Sequence, residues 1–476
     1  MLATILLLLL SITVADGASI GVVYGRRATR LPPPSSVARF LARGTVFNRV
    51  RLRNADPVAV RAFAGTGLAV DVTVPNKLLP RLAASQASAR RWVRANVALH
   101  VAAGVNVSRI LVGHEVASQT DVALALALAP AMENLHAALL GAGAGAGAVE
   151  VSTAHSLSVL ATSSPPSAGK FSAAAETVMK PVLAFLRATG APFMVNAYPY
   201  YALTGAGDDD GNNNDTRALD FALFRGSSIA AGVMDPGTGL LYTNALDAEL
   251  DAAHAAMARL GFGDGVDLAV AETGWPSAGE DWEPAAGAGA ASLAAEYNRN
   301  AVRHLGSGVG TPLMPGRAFE VSICSLFDED LRPGPVSERR FGLFRADDFS
   351  PVYDAGILSA AAAAPEVSVK VTPAPETNTT KGGQRQWCVP KPAADVVALQ
   401  DNIDFACGQG GGGVGVDCGE IRPGGSCYEP DTVEGHAAYA MNLYFRSSGG
   451  HEFDCEFGHT GAITTVDPSF GSCKFT

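Results

Sequence analysis

Short apolar runs alternate with longer segments of helical periodicity over most of the chain. Between the runs, apolar residues recur every three or four positions, as in residues 78–103, where Val93 and Val97 share one side of a predicted helix. This alternation of strand and helix predicts βαβ units and a parallel sheet. The eight predicted strands are residues 19–24, 47–52, 68–74, 109–115, 149–152, 193–198, 268–272 and 318–327.

Eight such units predict an α/β fold in which residues 19–355 close into a (β/α)8 TIM barrel. A doubly wound sheet is the alternative, but no glycine-rich phosphate-binding turn follows the first predicted strand. The Gly-Ala run at residues 141–148 is not such a turn either, because Ala146 stands where the dinucleotide pattern requires a glycine. In a barrel, the functional side chains are expected at the carboxyl ends of the strands.

Two of the predicted strands end on a glutamate, Glu115 on the fourth and Glu272 on the seventh. A carboxylate at the end of an apolar strand is costly unless it has a partner or a task. Strands four and seven lie across a barrel mouth from each other, so the pair could flank a glycosidic bond as proton donor and nucleophile. The alternative is that each glutamate ends its strand in a salt bridge, and the pattern alone leaves both interpretations open.

Further side chains that suit a sugar ligand lie near the same strand ends. Aromatic faces stack on sugar rings, and amides and carboxylates bind hydroxyls, although a single aromatic residue is more often part of the core. The pair His114-Glu115 is not a zinc motif, because Ser118 occupies the place of the second histidine. Neither a metal nor a cofactor is therefore expected. The candidate substrate-site residues are Tyr24, Asn196, Tyr198, Tyr200, Trp275, Phe327, Phe344, Glu320 and Glu329.

Composition and net charge restrict the classes of partner that the protein is expected to bind. The chain has 476 residues, of which 48% are hydrophobic and 17% charged, so it can form a large core and a smaller second domain. Its net charge of −11 argues against nucleic acid, because phosphate binding requires a basic surface. A neutral polymer is compatible with an acidic protein, and a monomer is expected.

The N-terminus predicts secretion. Residues 1–18 contain the apolar run Leu6–Leu10 and then small residues, with Ala15 and Ala18 as candidate cleavage positions. The alternative, a membrane anchor, is disfavoured because the apolar run is too short to cross a bilayer. A cleaved signal peptide and an extracellular location, such as the cell wall, are expected. The candidate N-glycosylation sites are Asn106, Asn214 and Asn378.

Cysteine placement predicts a second domain. Six of the seven cysteines follow residue 387, which together with secretion predicts a disulfide-stapled unit over residues 387–476. A metal site is the rival use of these cysteines, but no close Cys-x-x-Cys pair is present. The remaining cysteine, Cys324, is expected to be a buried free thiol. Residues 356–386 are rich in alanine and proline and are predicted to be a flexible linker.

Seven short motifs recur in order over residues 20 to 353: Ile20-Gly21-Val22-Val23-Tyr24-Gly25, Val74-Pro75-Asn76, Val112-Gly113-His114-Glu115-Val116, Val195-Asn196-Ala197-Tyr198-Pro199-Tyr200, Glu272-Thr273-Gly274-Trp275-Pro276-Ser277, Phe327-Asp328-Glu329 and Phe341-Gly342-Leu343-Phe344. This set resembles plant endo-1,3-β-glucanases of glycoside hydrolase family 17. The resemblance implies a (β/α)8 barrel and retaining hydrolysis of 1,3-β-glucan, with Glu115 as acid/base and Glu272 as nucleophile. It also implies that the substrate site includes Tyr24, Asn196, Tyr198, Glu320 and Glu329.

The chain departs from the family pattern at two places. His114 stands where the family usually has an asparagine that binds the sugar 2-hydroxyl, so His114 is also a candidate substrate-site residue. Histidine is bulkier and can become charged near neutral pH. Arg53-Asn54 replaces the usual Tyr-Asp at the end of strand two, and a long cation there could alter glucan binding or pair with a site glutamate. The resulting hypothesis is reduced or altered activity, and a catalytically weakened glucan-binding cell-wall protein is the alternative function.

A second group of motifs lies in the cysteine-rich segment: Trp387-Cys388-Val389, Ala406-Cys407-Gly408-Gln409-Gly410, Pro423-Gly424-Gly425-Ser426-Cys427-Tyr428, His436-Ala437-Ala438-Tyr439-Ala440-Met441-Asn442 and Gly471-Ser472-Cys473. They resemble carbohydrate-binding module family 43. The resemblance implies the disulfides Cys388–Cys455, Cys407–Cys418 and Cys427–Cys473. The sequence as a whole therefore predicts a secreted, retaining endo-hydrolase of callose- or laminarin-type 1,3-β-glucan with an appended glucan-binding module.

Overall fold

A computed structural model describes the chain from residue 19 to residue 475, apart from several gaps. The predicted signal peptide, nearly all of the predicted linker, and the glycosylation sites Asn214 and Asn378 lie outside the described residues. The gaps are residues 144, 206–215, 227–231, 284–286, 288, 360–385, 392–393, 408–415, 448–451, 456 and 458–459.

Eight parallel strands close into a barrel, which confirms the predicted fold class. Each predicted strand has a counterpart, and each strand pairs with its neighbours in the chain, with the last pairing to the first. The strands are β1 Ile20–Tyr24, β2 Arg49–Leu52, β3 Ala69–Val74, β4 Val107–His114, β5 Glu150–Ser156, β6 Phe193–Asn196, β7 Leu268–Thr273 and β8 Val321–Ile323.

Helices connect the strands and surround the barrel. The predicted helix over residues 78–103 is divided in the structure, because Ser85 adopts an extended backbone and its side chain accepts a hydrogen bond from the Ser88 amide. Ser85 thereby ends one helix and caps the next. The α-helices of this unit are Pro34–Gly44, Pro57–Arg61, Leu79–Ala84, Gln86–Val93, Leu99–Ala102, Val122–Leu126, Leu128–Leu140, Ala173–Thr189, Pro199–Gly205, Thr216–Ala222, Ala245–Arg259 and Ala290–Leu305.

One stretch of the described residues, Val122–Leu140, is long and apolar enough to cross a membrane by length and composition. It packs beside the helices Leu79–Ala84 and Gln86–Val93, and the Leu128 and Met132 side chains are fully buried. Packing in the outer ring of the barrel thus accounts for the buried apolar residues of this stretch.

Strand β2 carries a charged residue at every second position on the face that points into the barrel. Side chains two residues apart on a strand share a face, so Arg49, Arg51 and Arg53 form a row that we call the arginine column. At one end Arg49 Nη1 lies 2.6 Å from Asp71 Oδ1. At the other end Arg53 Nη1 lies 3.0 Å from Glu272 Oε1. The column therefore brings positive charge to the carboxyl ends of the strands.

The cysteine-rich segment forms a second compact unit. The helices Val396–Cys407 and Val433–Ser447 pack against each other, and the strands Trp387–Pro390 and Gly461–Thr464 form an antiparallel pair. Trp387 Nε1 donates to the carbonyl of Phe475 at 3.0 Å. The disulfides are Cys388–Cys455, Cys407–Cys418 and Cys427–Cys473, the pairing implied by the family resemblance.

Candidate active site

The Glu272 side chain lies at the carboxyl end of β7 and is only 2% exposed. Arg53 binds both oxygens of the carboxylate, with Nη1 at 3.0 Å from Oε1 and Nη2 at 3.1 Å from Oε2. Arg51 Nη1 lies 3.3 Å from Oε1 and also donates to the carbonyl of Ala271 at 2.8 Å. The Tyr198 hydroxyl donates to Oε2 at 2.9 Å. The carboxylate is thus held from three directions.

These contacts set the charge of Glu272. Burial alone raises its pKa, but Arg53 and Arg51 together outweigh burial and hold the pKa well below the usual range of a carboxyl group. Glu272 is therefore ionised at any ordinary pH. The salt bridge that the sequence left as an alternative is present, and it also keeps the carboxylate in the charge state that a nucleophile would need.

The second glutamate, Glu115, follows β4 and is half-buried. Its backbone has φ 53°, in the left-handed region that residues other than glycine seldom adopt. Asn196 Nδ2 donates to Glu115 Oε1 at 2.6 Å. Asn196 is also aligned with Glu272 in the β6–β7 register, so this asparagine stands between the two carboxylates. Both glutamates therefore belong to one site at the mouth of the barrel.

His114 lies beside this pair. Burial lowers its pKa, and the charges of Arg51 and Arg53 lower it further against the opposing effect of the glutamates. The imidazole is consequently neutral near neutral pH, where it can still donate or accept a hydrogen bond. The charging near neutral pH that a histidine allows at this position is thus opposed by its surroundings.

Two further predicted residues lie at the same mouth. Tyr24 ends β1, is 1% exposed, and its hydroxyl has no hydrogen-bond partner among the described residues. Burial raises the pKa of Tyr24 to about 12, so the hydroxyl stays protonated. Glu329 Oε1 accepts from the Arg27 amide at 3.0 Å, and its Oε2 lies 3.8 Å from Arg53 Nε. A Cβ atom on Gly25 would fall 2.1 Å from Glu329 Oε1, so the close approach requires glycine there.

The prediction for Glu320 is wrong. Glu320 precedes β8, at the amino end of the strand, and lies at the opposite end of the barrel from Glu272. Its carboxylate contacts Arg109 and, at 3.3 Å, Arg49 Nη2. Arg109 also binds Glu150 at 2.6 Å, so Glu320 belongs to an ion cluster that closes the floor of the barrel.

The prediction for Trp275 as a wall of the sugar site is also wrong. Its side chain is 0% exposed and packs between Tyr200 and Tyr297, each with its ring centre 5.3 Å away. The indole is therefore enclosed by other aromatic side chains and does not line the site. It therefore cannot offer a ring face to a sugar.

Sequence reasoning missed three neighbours of the glutamates. Arg51 is 1% exposed between the apolar residues Val50 and Leu52, and this unusual placement of a buried cation was a signal of its role. Asn76 makes two hydrogen bonds to the backbone of His114. Cys324 is buried, as expected, but its sulfur also accepts from Arg53 Nη2 at 3.4 Å. No metal-binding group of three side chains occurs among the residues that the structure describes.

A closed (β/α)8 barrel with two glutamates, an amide and a tyrosine at the carboxyl ends of its strands has the architecture of a glycoside hydrolase. Comparison with known proteins agrees with this class. Residues 20–356 match the model of the glycosyl hydrolases family 17, and residues 386–462 match the X8 domain, a carbohydrate-binding module. The chain therefore belongs to glycosyl hydrolase family 17.

Relatives resemble the chain over nearly its whole length. It is 43% identical to a glucan endo-1,3-beta-glucosidase of Triticum aestivum, with 99% of each chain covered. It is 41% identical to glucan endo-1,3-beta-glucosidase 7 of Arabidopsis thaliana over 96% of this chain and 84% of the relative. Among solved structures, CJP38, a beta-1,3-glucanase and allergen of Cryptomeria japonica pollen, has a TM-score of 0.63 and 36% identity, covering 71% of this chain and 98% of that one.

Proposed function

We propose that this protein is a secreted endo-hydrolase of 1,3-β-glucan that retains the anomeric configuration and carries a glucan-binding module. The observation that carries the proposal is the ionised Glu272 held at one barrel mouth with a second glutamate, Glu115. The names of the relatives, glucan endo-1,3-beta-glucosidases, support the same substrate. Both glutamates are retained, so the alternative of a purely glucan-binding protein has less support.

In this mechanism Glu272 attacks the anomeric carbon while Glu115 gives its proton to the leaving glycosidic oxygen. The bond between the anomeric carbon and that oxygen breaks, and a glycosyl–enzyme ester forms. Glu115, now ionised, takes a proton from water, and the water oxygen displaces Glu272 from the same carbon. The Tyr198 and Arg53 contacts keep Glu272 ionised before attack and stabilise it as the departing group afterwards.

Unpartnered polar atoms support a sugar ligand at this mouth. Asn196 Oδ1 and the Tyr24 hydroxyl are buried without partners among the described residues. Such groups are costly to leave unpaired, and the hydroxyls of a glucose ring would satisfy them. Neutral His114 would take the place of the family asparagine toward the 2-hydroxyl.

The first test is release of reducing ends from a soluble laminarin-type glucan. Wild type is expected to hydrolyse it, while Glu272→Gln and Glu115→Gln lose on the order of a thousand-fold or more, as expected when a group that acts in the transition state is removed. Glu320→Gln is the matched control, because it makes the same carboxyl-to-amide change at the barrel floor. Proton NMR of the first product should show the retained β anomer.

Two outcomes would contradict the proposal. Initial appearance of the inverted α anomer would exclude the glycosyl–enzyme step. A wild type that is no faster than Glu272→Gln, yet still binds the polysaccharide, would favour the weakened glucan-binding protein.

The remaining details belong to the same proposal. The three disulfides suit an oxidising, extracellular compartment, in agreement with the predicted signal peptide and a cell-wall location. We propose domains at 19–355 and 387–476 with a linker between them, and the family matches over residues 20–356 and 386–462 support this division. We also propose a monomer, with Asn106, which is exposed, as a glycosylation site.

A further inference from the structure

The backbone that carries Glu115 is strained. Glu115 has φ 53°, and Gly113 two residues earlier has φ 72°. A Cβ atom on Gly113 would fall 2.4 Å from Val116 Cγ2, so the turn is both left-handed and crowded. A left-handed residue other than glycine costs about 1–3 kcal/mol and persists only where its surroundings fix it. Something must therefore hold this turn in place.

Asn76 contacts the residue between these two positions. Its Oδ1 accepts from the His114 amide at 2.8 Å, and its Nδ2 donates to the His114 carbonyl at 3.0 Å. One primary amide thus binds both polar groups of a single backbone residue, as a neighbouring strand would. On the other side, the Glu115 amide donates to the Ala154 carbonyl of β5 at 2.9 Å. The end of β4 is held from both flanks.

Only an asparagine side chain of this length provides the donor and the acceptor together. An aspartate would place an acceptor against the His114 carbonyl, and an alanine would leave both backbone groups without this partner. Asn76 stands at the start of a short 3-10 turn, Asn76–Leu78, directly after β3 and Pro75. The rigid Pro75 and this turn fix where the amide points.

We propose that Asn76 is a positioning residue for the acid/base Glu115: it holds the His114 backbone so that the Glu115 carboxyl stays aimed at the leaving oxygen. The inference rests on the proposed function. Among the described residues Asn76 makes no hydrogen bond to either glutamate side chain, so its effect on the reaction is transmitted through the His114 backbone. A displacement of a catalytic group by about 1 Å can cost about a hundred-fold in rate.

Two substrates with different leaving groups distinguish a loss of Glu115 positioning from a general loss of protein stability. A sugar alkoxide leaves only when it is protonated, whereas a dinitrophenolate leaves without help. Misplacing the acid therefore slows glucan cleavage and spares cleavage of an aryl glycoside of a 1,3-linked glucan oligosaccharide. The second step still needs the base, but azide attacks the glycosyl–enzyme at the anomeric carbon, displaces Glu272 and gives a glycosyl azide without proton removal.

The experiment compares wild type, Asn76→Ala and Asn76→Asp on a soluble 1,3-glucan oligosaccharide and on its dinitrophenyl glycoside. Both variants should lose about 10- to 100-fold in kcat/KM on the oligosaccharide, with KM nearly unchanged, and less than about three-fold on the aryl substrate. Azide should raise kcat of the variants on the aryl substrate and leave that of wild type unchanged.

Asn134→Ala is the matched control. Asn134 Nδ2 donates to two carbonyls, of Leu82 at 2.9 Å and of Ala83 at 2.8 Å, away from the barrel mouth. This variant should lose thermal stability while keeping the wild-type ratio of the two substrates. If Asn76→Ala does not fold, Asn76→Gln gives the same comparison with an amide displaced by one methylene.

Equal losses on both substrates, or no loss on either, would overturn the role of Asn76 while leaving the proposed function intact. A wild type that cleaves neither substrate would overturn the proposed function and this inference with it.

Discussion

Arg53, which stands where the resemblance to the family leads to the expectation of a tyrosine, binds both oxygens of Glu272. Together with Arg51 it places two cations on one carboxylate. A carboxylate of low basicity attacks carbon less readily but leaves more readily. We therefore expect Arg53 to slow formation of the glycosyl–enzyme relative to its hydrolysis. This change in the balance of the two steps is the form that we expect the altered activity hypothesised from the sequence to take.

Replacing Arg53 should shift the pH dependence of the enzyme. Burial raises the pKa of Glu272 and Arg53 is the largest influence that lowers it, so Arg53→Met should raise that pKa. Activity requires ionised Glu272, so the acid limb of kcat/KM that this group sets, which in wild type lies below the ordinary pH range, should move upward into that range in Arg53→Met. Rates measured on a soluble 1,3-glucan between about pH 3 and pH 7 would show the shift.

Arg299→Met is the control for this measurement, because Arg299 forms its ion pair with the exposed Asp354, at 3.1 Å on the surface. It should leave the acid limb in place. An unchanged limb in Arg53→Met would mean that Arg51 and Tyr198 alone set the charge of Glu272.

At the scale of single residues, the sequence predicted those site residues whose location in the barrel follows from their position along a strand. Glu115, Glu272 and Tyr198 lie at or just beyond the carboxyl ends of their strands and meet at the mouth for that reason. Glu320 was misplaced because it lies at the amino end of the eighth strand, where its side chain belongs to the floor of the barrel and not to the mouth. Asn76 could not be predicted, because its partner is a backbone group that only the folded turn presents.

At the scale of elements, the strands were predictable because each is a short run of apolar residues in a chain of regular alternation. Helix limits were less predictable. The helix is interrupted at Ser85 because its side chain caps the next helix. A serine is also tolerated in a helix interior, so the residue type alone does not predict the interruption. The charged floor of the barrel was also missed, because Arg109 and Asp71 read from the sequence as isolated polar residues in buried strands.

The floor cluster should contribute to stability and not to catalysis. Glu320→Gln removes one charge opposite the buried Arg109, and the expected loss is about 2 kcal/mol, because Arg109 keeps Asp71 and Glu150 as partners. Urea unfolding of the full chain would measure the loss, and kcat/KM on soluble glucan should stay within about two-fold of wild type.

Asp354→Asn provides the comparison, since Asp354 is 82% exposed and its pair with Arg299 should be worth little. A fall in activity of Glu320→Gln that exceeded its fall in stability would restore Glu320 to the substrate site.

At the scale of the whole molecule, the chain has two compact units, each with its own buried core. The core of the second unit is small and includes disulfide-bonded cysteines, such as Cys388 and Cys455. Small domains of this kind depend on their cross-links for stability. The two activities that we propose, cleavage and polymer retention, should therefore be separable by cysteine substitution.

The double variant Cys388→Ser/Cys455→Ser should lose binding to insoluble 1,3-β-glucan and keep its rate on soluble glucan. This disulfide joins residues 67 apart, and its loss should cost about 4 kcal/mol by the loop-closure relation. The tethered module raises the local concentration of polymer, so hydrolysis of insoluble glucan should fall about ten-fold or more. Sedimentation with the insoluble polymer and reducing-end assays would measure both effects.

Cys407→Ser/Cys418→Ser is the graded control, because that disulfide joins residues only 11 apart. Its loss should lower the free energy of unfolding by about 3 kcal/mol. Equal hydrolysis of insoluble glucan by wild type and Cys388→Ser/Cys455→Ser would show that the second unit does not assist the barrel.

The arginine column also constrains the order in which the barrel can assemble. Arg51 donates to Ala271 and Arg53 to Glu272, contacts that join residues 220 and 219 positions apart. Until β7 arrives, both guanidinium groups must stay hydrated, because burying them unpaired would be prohibitive. The barrel interior near the carboxyl ends of the strands can therefore exclude water only when the last strands close the ring. Such long-range contacts form slowly, so in this chain completing the site and completing the fold are one late step.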